Sequence, residues 1–321
     1  MVKGACLKKI KLPPGLAAAM ASSVFLGLAP VMGKLAIHLG LPPLFVAALR
    51  TGLAGLLMLV LTFLFKRQYL YIYPAGLLGC IIAGWLNGMG SLLYYAALGR
   101  IEASLGQVVY SLYPLFVAMW MMLEGQKPSR LTVFRMAIVL PALLLLMDIS
   151  SGRVDVIGVL MMLGSSLLYA LHLPVNQRVL LDMPAPTVTM YTLLAMSATV
   201  LPALFFVSFS EPPQSTSWLA LLALTAVTFL SRLTLFLGVK HLGGLQTALL
   251  GLGELLITIM FSHWLLGERL SLIQWGGVLL LMFSLFLTIF EKPTKRRGGG
   301  GGWLNWLRPA GMPSDLILPR D

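Results

Sequence analysis

The chain has 321 residues, of which 58% are hydrophobic and 11% charged, with a formal net charge of +12. Mean hydropathy is +0.90, a value that excludes an ordinary soluble domain, whose surface needs far more polar cover. The positive charge does not point to nucleic acid, because Lys3, Lys8, Lys9 and Lys11 precede the first apolar run and Lys292, Lys295, Arg296 and Arg297 follow the last. Basic residues at those places orient a membrane protein and meet anionic lipid.

The basic start leads into an apolar run too long for a cleaved signal peptide and without a small-residue cleavage site. Punctuation by turn and charged residues then predicts about ten spans: 15–39, 43–65, 73–98, 103–123, 130–147, 154–181, 186–208, 217–239, 244–266 and 271–290. Each approaches the roughly 20 apolar residues that cross a bilayer with every backbone group bonded inside the segment. Separators include Leu41-Pro42-Pro43, Lys66-Arg67-Gln68, Lys127-Pro128-Ser129, Pro184-Ala185-Pro186, Glu211-Pro212-Pro213 and Gly267-Glu268-Arg269. The expected division is a basic N-terminus (1–14), a first five-helix unit (15–147), a second (154–290) and a basic, Gly-rich tail (291–321). The tail joins Gly298–Gly302 to Trp303 and Trp306 and is assigned no function.

Lys66, Arg67, Lys127, Arg130, Arg178 and Lys240 fall in loops on the side of the N-terminus, against Arg100, Arg153 and Arg269 on the other. The positive-inside rule thus predicts both termini in the cytoplasm. The stretch from Ala97 to Leu131 aligns without gaps on Gly238 to Leu272, an offset of 141 residues that maps spans three to five onto eight to ten. A repeat of five spans is odd, so the second copy inserts upside down. The fold class predicted is therefore an all-α integral membrane protein of two inverted five-helix repeats, with a solute site near the midplane between them. In the third span Gly76, Cys80, Gly84 and Gly88 strip one helix face of side chains, which predicts close approach of a neighbour.

Ionisable groups in hydrocarbon cost about 2.5–3.5 kcal/mol each on insertion scales, so each needs a reason. Glu254 is the one carboxylate deep in a span. It reads as a proton-coupling group, as a counter-ion for a substrate amine, or as the partner of Arg232 in a buried ion pair. Arg232, on a helix with Thr225, Thr228 and Ser231, offers a planar fork for an anionic group of a solute. Lys34 and Arg50 flank the first turn at similar depth, where they snorkel or form a mouth that attracts anions. Arg135 reads as a snorkelling anchor. His172 sits beside Pro174, which predicts a kinked helix with a buried or titrating histidine. Tyr94, Gln107 and Tyr110, among the polar and aromatic residues of spans three and four, either line a cavity or bond between helices.

The chain resembles the EamA group of the drug/metabolite transporter superfamily over roughly residues 15–290. The resemblance rests on Gly33-Lys34-Leu35-Ala36, Leu41-Pro42-Pro43 and Ala48-Leu49-Arg50, on Tyr94-Tyr95-Ala96-Ala97-Leu98 and Tyr113-Pro114-Leu115-Phe116, and on Leu265-Leu266-Gly267-Glu268-Arg269-Leu270-Ser271. The family often has Glu-Pro in the fourth and ninth helices, where this chain has Tyr113-Pro114 and Glu254-Leu255. The resemblance implies a central cavity lined by helices one to four and six to nine, with the fifth and tenth peripheral.

The function expected is secondary transport of a small metabolite, an amino acid or related organic anion or zwitterion, by alternating access and in the direction of export, with protons as a coupling ion. Its partners are that solute and membrane lipid, in the inner membrane of a bacterium, and no cofactor, metal or nucleic acid is expected. No phosphate-binding Gly-x-x-x-x-Gly-Lys-Ser/Thr motif is present, so ATP drive has no support. A sugar-phosphate or nucleotide-sugar carrier is the alternative within transport, and a lipid-handling or structural protein the alternative outside it. Enzyme function is not expected, because no nucleophiles, metal ligands or paired carboxylates cluster.

Overall fold

A computed structural model describes residues 14–123, 128–147, 155–208, 215–267 and 271–290. The basic N-terminus before Pro14, Lys127, Arg153, Glu211-Pro212-Pro213, Glu268-Arg269-Leu270 and the tail from residue 291 lie outside the described residues.

The described chain is helical. In order it forms α1 (Pro14–His38), α2 (Pro43–Phe65), α3 (Pro74–Leu98), α4 (Ala103–Tyr110), α5 (Tyr113–Leu123), α6 (Arg130–Met147), α7 (Val156–Leu180), α8 (Ala185–Val200), α9 (Ser215–Leu242), α10 (Gly244–Gly251), α11 (Gly253–Leu266) and α12 (Leu272–Phe286). Several starts follow from local chemistry. Proline opens α2 and α3, where its missing N–H costs nothing. Asp155 caps α7 by accepting from the Gly158 and Ile157 N–H groups. Those bonds, with Arg100 3.2 Å away, hold its carboxyl below the usual carboxylate range.

Among the described residues eight stretches are long and apolar enough to cross a membrane: α1, α2, α3, Ala103–Trp120, α7, Ala185–Phe206, α9 and Gly244–Leu266. The expected fifth and tenth spans, α6 with 18 residues and α12 with 15, are not among these eight. The two pack on each other, with Val139 and Ala142 against Val278. Arg135 corrects the snorkelling expectation: it is fully buried and donates from Nε to the Ser284 carbonyl at 3.0 Å, tying α6 to α12.

Spans four and nine are each broken in the middle, which the hydropathy pattern does not predict. At the first break Pro114 has no N–H for the Tyr110 carbonyl, and proline disfavours helix at the preceding Tyr113. The freed Tyr110 carbonyl accepts from the Ser166 hydroxyl of α7 at 2.9 Å. The second break has no proline. Gly251 and Gly253 flank it, both poor helix formers, and the Leu250 carbonyl accepts from the Ser23 hydroxyl of α1 at 3.0 Å. α4 and α10 have eight residues each and are related by the same 141-residue offset seen in the sequence.

The halves are packed crosswise rather than side by side. α1 lies along α9 and α11, α7 lies along α3 and α5, and α2 meets α8. α7 stays helical through Pro174. The bare face of α3 meets α8 closely: a methyl on Gly84 would lie 2.7 Å from the Thr192 carbonyl oxygen and 2.9 Å from the Met196 nitrogen. Backbone atoms cannot step aside as a side chain can, so Gly84→Ala is expected to cost about 1–3 kcal/mol. The check is a lowered melting temperature of the purified protein in detergent, with Ala83→Gly on the same helix as a control for altered helix propensity.

Candidate functional site

A polar cavity lies where the halves meet. Its walls are Leu26, Ala29 and Pro30 of α1, Arg50 of α2, Asn87, Gly90, Ser91, Tyr94 and Tyr95 of α3, Tyr110 of α4, and Ser231 and Arg232 of α9. It is a small cavity of about 50 Å³ that opens in part to the outside, well below the size of a drug-sized ligand site.

Arg50 is buried and better supplied than Arg232, with Nε alone lacking a partner. Its Nη2 donates to the Ser91 hydroxyl at 2.6 Å and its Nη1 to the Thr228 hydroxyl at 3.1 Å. Its guanidinium sits 4.6 Å above the Tyr95 ring. These contacts let a cation sit among apolar helices and join α2 to α3 and to α9. Arg232 is as deeply buried and poorly supplied. Only Nη2 reaches an acceptor, Asn87 Oδ1 at 3.5 Å, while Nε and Nη1 have none. The Tyr169 ring lies 5.6 Å below the guanidinium, and the Tyr169 hydroxyl is also buried without a hydrogen bond.

Glu254 is buried in the first turn of α11, directly after the second break. Among the described residues it is the only carboxylate within a helix. The expected ion pair with Arg232 does not form within 4 Å; the two interact through space but have separate neighbours. Glu254 Oε1 has no partner, and the Gln107 amide approaches its carboxylate. Gln107 in turn accepts from the Tyr94 hydroxyl at 2.9 Å. Tyr94 lines the cavity, so a polar path runs from the cavity wall through Gln107 to Glu254 at the break.

Tyrosines frame this path. Tyr110 contacts the rings of Tyr94, Tyr113 and Tyr169 at centroid distances of 5.0, 5.6 and 5.2 Å. Tyr113 also donates to the Ala248 carbonyl at 3.1 Å, in the last turns of α10. The ring cluster therefore links both broken spans to α3 and α7.

Of the eight residues singled out in the sequence, Arg50, Arg232, Tyr94 and Tyr110 line the cavity, and Gln107 and Glu254 stand behind it. His172 is fully buried away from the wall: Nδ1 contacts the Tyr169 carbonyl, its ring lies against Tyr169, and Nε2 has no partner. Lys34 is elsewhere, donating from Nζ to the carbonyls of Leu98 and Ile101 at 2.6 and 2.9 Å. A cation there complements the negative end of α3. Asn87 and Ser91, from the polar set of spans three and four expected to line a cavity or bond between helices, are wall residues, as is Ser231 beside Arg232. Among the described residues no three His, Cys, Asp or Glu side chains come together.

The sequence matches the EamA-like transporter family over residues 13–148 and again over residues 156–290. No curated protein matches it. A solved crystal structure superposes over 84% of this chain and 96% of its own, with a TM-score of 0.63 at 18% identity, which shows a shared fold. Two family repeats spanning the chain, apolar helices crossing a bilayer and a polar cavity between the halves agree: the chain is an integral membrane protein that belongs to the EamA-like transporter family.

Proposed function

We propose that this transporter is a secondary carrier that moves a small organic anion or zwitterion, such as an amino acid, by alternating access. The observation that carries the reading is a cavity at the junction of the halves into which each half projects one arginine, Arg50 from α2 and Arg232 from α9. Two buried guanidiniums without a carboxylate within 4 Å leave positive charge for a solute to neutralise. The broken fourth and ninth spans bring their helix ends together, where Tyr113 of one bonds the Ala248 carbonyl of the other, as at the sites of many carriers.

In this reading the protein has ten spans, with α6 and α12 as the fifth and tenth, and its five-helix repeats are inverted. The exchange of α1–α9 and α7–α3 contacts between the halves supports that symmetry. Both termini lie in the cytoplasm of a bacterium, transport runs outward, and Glu254 carries a coupling proton. The test is a panel of radiolabelled amino acids, organic acids and neutral analogues in proteoliposomes, with and without a pH gradient. Saturable uptake of an anionic or zwitterionic member, stimulated by the gradient, is expected. Protein-dependent movement confined to neutral solutes would sink the reading.

A further inference from the structure

The two arginines of the cavity are chemically unlike, and we infer that Arg232 is the group that receives solute, that it takes a single carboxylate, and that Arg50 is a strut. The inference rests on the carrier reading above and gives it a recognition element. Arg50 has hydroxyl acceptors on two of its nitrogens, at 2.6 and 3.1 Å, and an aromatic ring against its face. A solute would have to displace both hydroxyls to reach it. Arg232 is 7% exposed, yet Nε and Nη1 donate to nothing and Nη2 holds Asn87 only at 3.5 Å. The Tyr169 hydroxyl faces the same guanidinium without a hydrogen bond inside 3.5 Å.

Buried donors without acceptors cost about 1–3 kcal/mol each, and native proteins keep few of them. Here two of them belong to the Arg232 guanidinium on the cavity wall, against one on Arg50, so the complementary ligand group at Arg232 is acceptor-only and anionic. A carboxylate supplies two oxygens in the plane of the guanidinium and one negative charge. A phosphate ester brings up to two charges and three oxygens. It would meet one underused cation, with the Glu254 carboxylate acting on the same guanidinium and Lys34 committed to helix carbonyls. The arrangement therefore selects carboxylate over phosphate.

The test is thermal unfolding of the full-length protein in lipid nanodiscs with sodium propionate, propionamide or sodium phosphate as probes, ionic strength being held constant with sodium chloride. Propionate is expected to raise the melting temperature by about 2 °C or more, propionamide to leave it unchanged and phosphate to raise it less. Arg232→Gln should abolish the propionate increment and lower the ligand-free melting temperature less than Arg50→Gln does, since the one acceptor it loses, Asn87 Oδ1, is 3.5 Å away. Arg50→Gln should lower the ligand-free melting temperature by stranding the Ser91 hydroxyl and cutting the tie to Thr228. If Arg232→Gln does not fold, Arg232→Lys, which keeps the charge but not the fork, should fold and show a reduced increment.

A propionate increment undiminished in the Arg232 variants, one matched by phosphate, or none in the wild type would overturn the assignment. Failure of the carrier reading looks different: propionate would still bind through Arg232 while no solute of the panel crossed the bilayer. Transport of neutral solutes alone, with no propionate increment, would remove both.

Discussion

Glu254→Gln is expected to leave solute exchange across the membrane intact while removing its response to a pH gradient. The glutamine keeps the size of the side chain and can still meet Gln107, so the close packing of α11 against α1 is preserved. What it loses is the ability to carry a proton. In an alternating-access cycle the group that couples must reach each side in turn and sense whether solute is bound. Glu254 meets the geometric conditions: it follows the break in the ninth span, it has no ion pair within 4 Å, and Gln107 connects it to Tyr94 on the cavity wall. The charged and titratable groups around it are Arg232 and the hydroxyls of Tyr94, Tyr110, Tyr113 and Tyr169. Wild-type proteoliposomes moving one proton per solute should show up to about tenfold concentration of solute for one unit of pH difference, because one unit is about 1.4 kcal/mol. The Gln variant should equilibrate solute without concentrating it. If it concentrates solute as the wild type does, the coupling group is elsewhere.

The membrane character, the positions of eight spans and the offset between the repeats were all legible in the sequence, because they depend on composition and periodicity alone. The breaks in spans four and nine were not. An apolar run looks the same whether or not its helix is continuous, and the signals that mattered were weak ones: Pro114 after Tyr113, and Gly251 and Gly253 around Leu252. The hydroxyls that complete the breaks come from Ser23 and Ser166, far away in the chain and unremarkable on their own helices. The two serines act crosswise, each half capping the broken span of the other.

Charge placement was legible as a set of candidates but not as roles. Arg50, Arg232 and Lys34 are equivalent in a hydropathy trace. Only three-dimensional placement separates a guanidinium with hydroxyls on both terminal nitrogens, one with two idle nitrogens, and an ammonium capping a helix end. The Arg232–Glu254 ion pair was a reasonable expectation from depth alone. It does not form because depth says nothing about which way two helices face, and Glu254 is met by Gln107 on α4 instead.

Gly27 is where packing and transport meet, and Gly27→Val is expected to be the most damaging single change in α1. A Cβ there would lie 2.5 Å from the Glu254 carbonyl oxygen and 2.6 Å from Ile257 Cβ. The Gly27 carbonyl also accepts from the Thr258 hydroxyl at 2.8 Å, one turn from the Ser23–Leu250 bond that completes the break. A branched side chain must therefore push α1 off α11 and break both hydrogen bonds, costing roughly 3 kcal/mol or more in packing and about 1 kcal/mol for each bond. A large drop in melting temperature or failure to purify as a monodisperse species is the expected result. Gly27→Ala is the informative companion. Its single methyl still meets the backbone at Glu254, so it should cost about 1–3 kcal/mol and leave folded protein that can be assayed. Because α1 touches the break that holds Glu254, and the proposed alternating-access cycle would repack these helices, transport by Gly27→Ala should fall by at least about tenfold, equivalent to a barrier raised by about 1.4 kcal/mol. Propionate binding at Arg232, which α9 carries, should persist. A Gly27→Ala protein with wild-type stability and rate would show that α1 does not pack on the ninth span this closely in any state of the cycle.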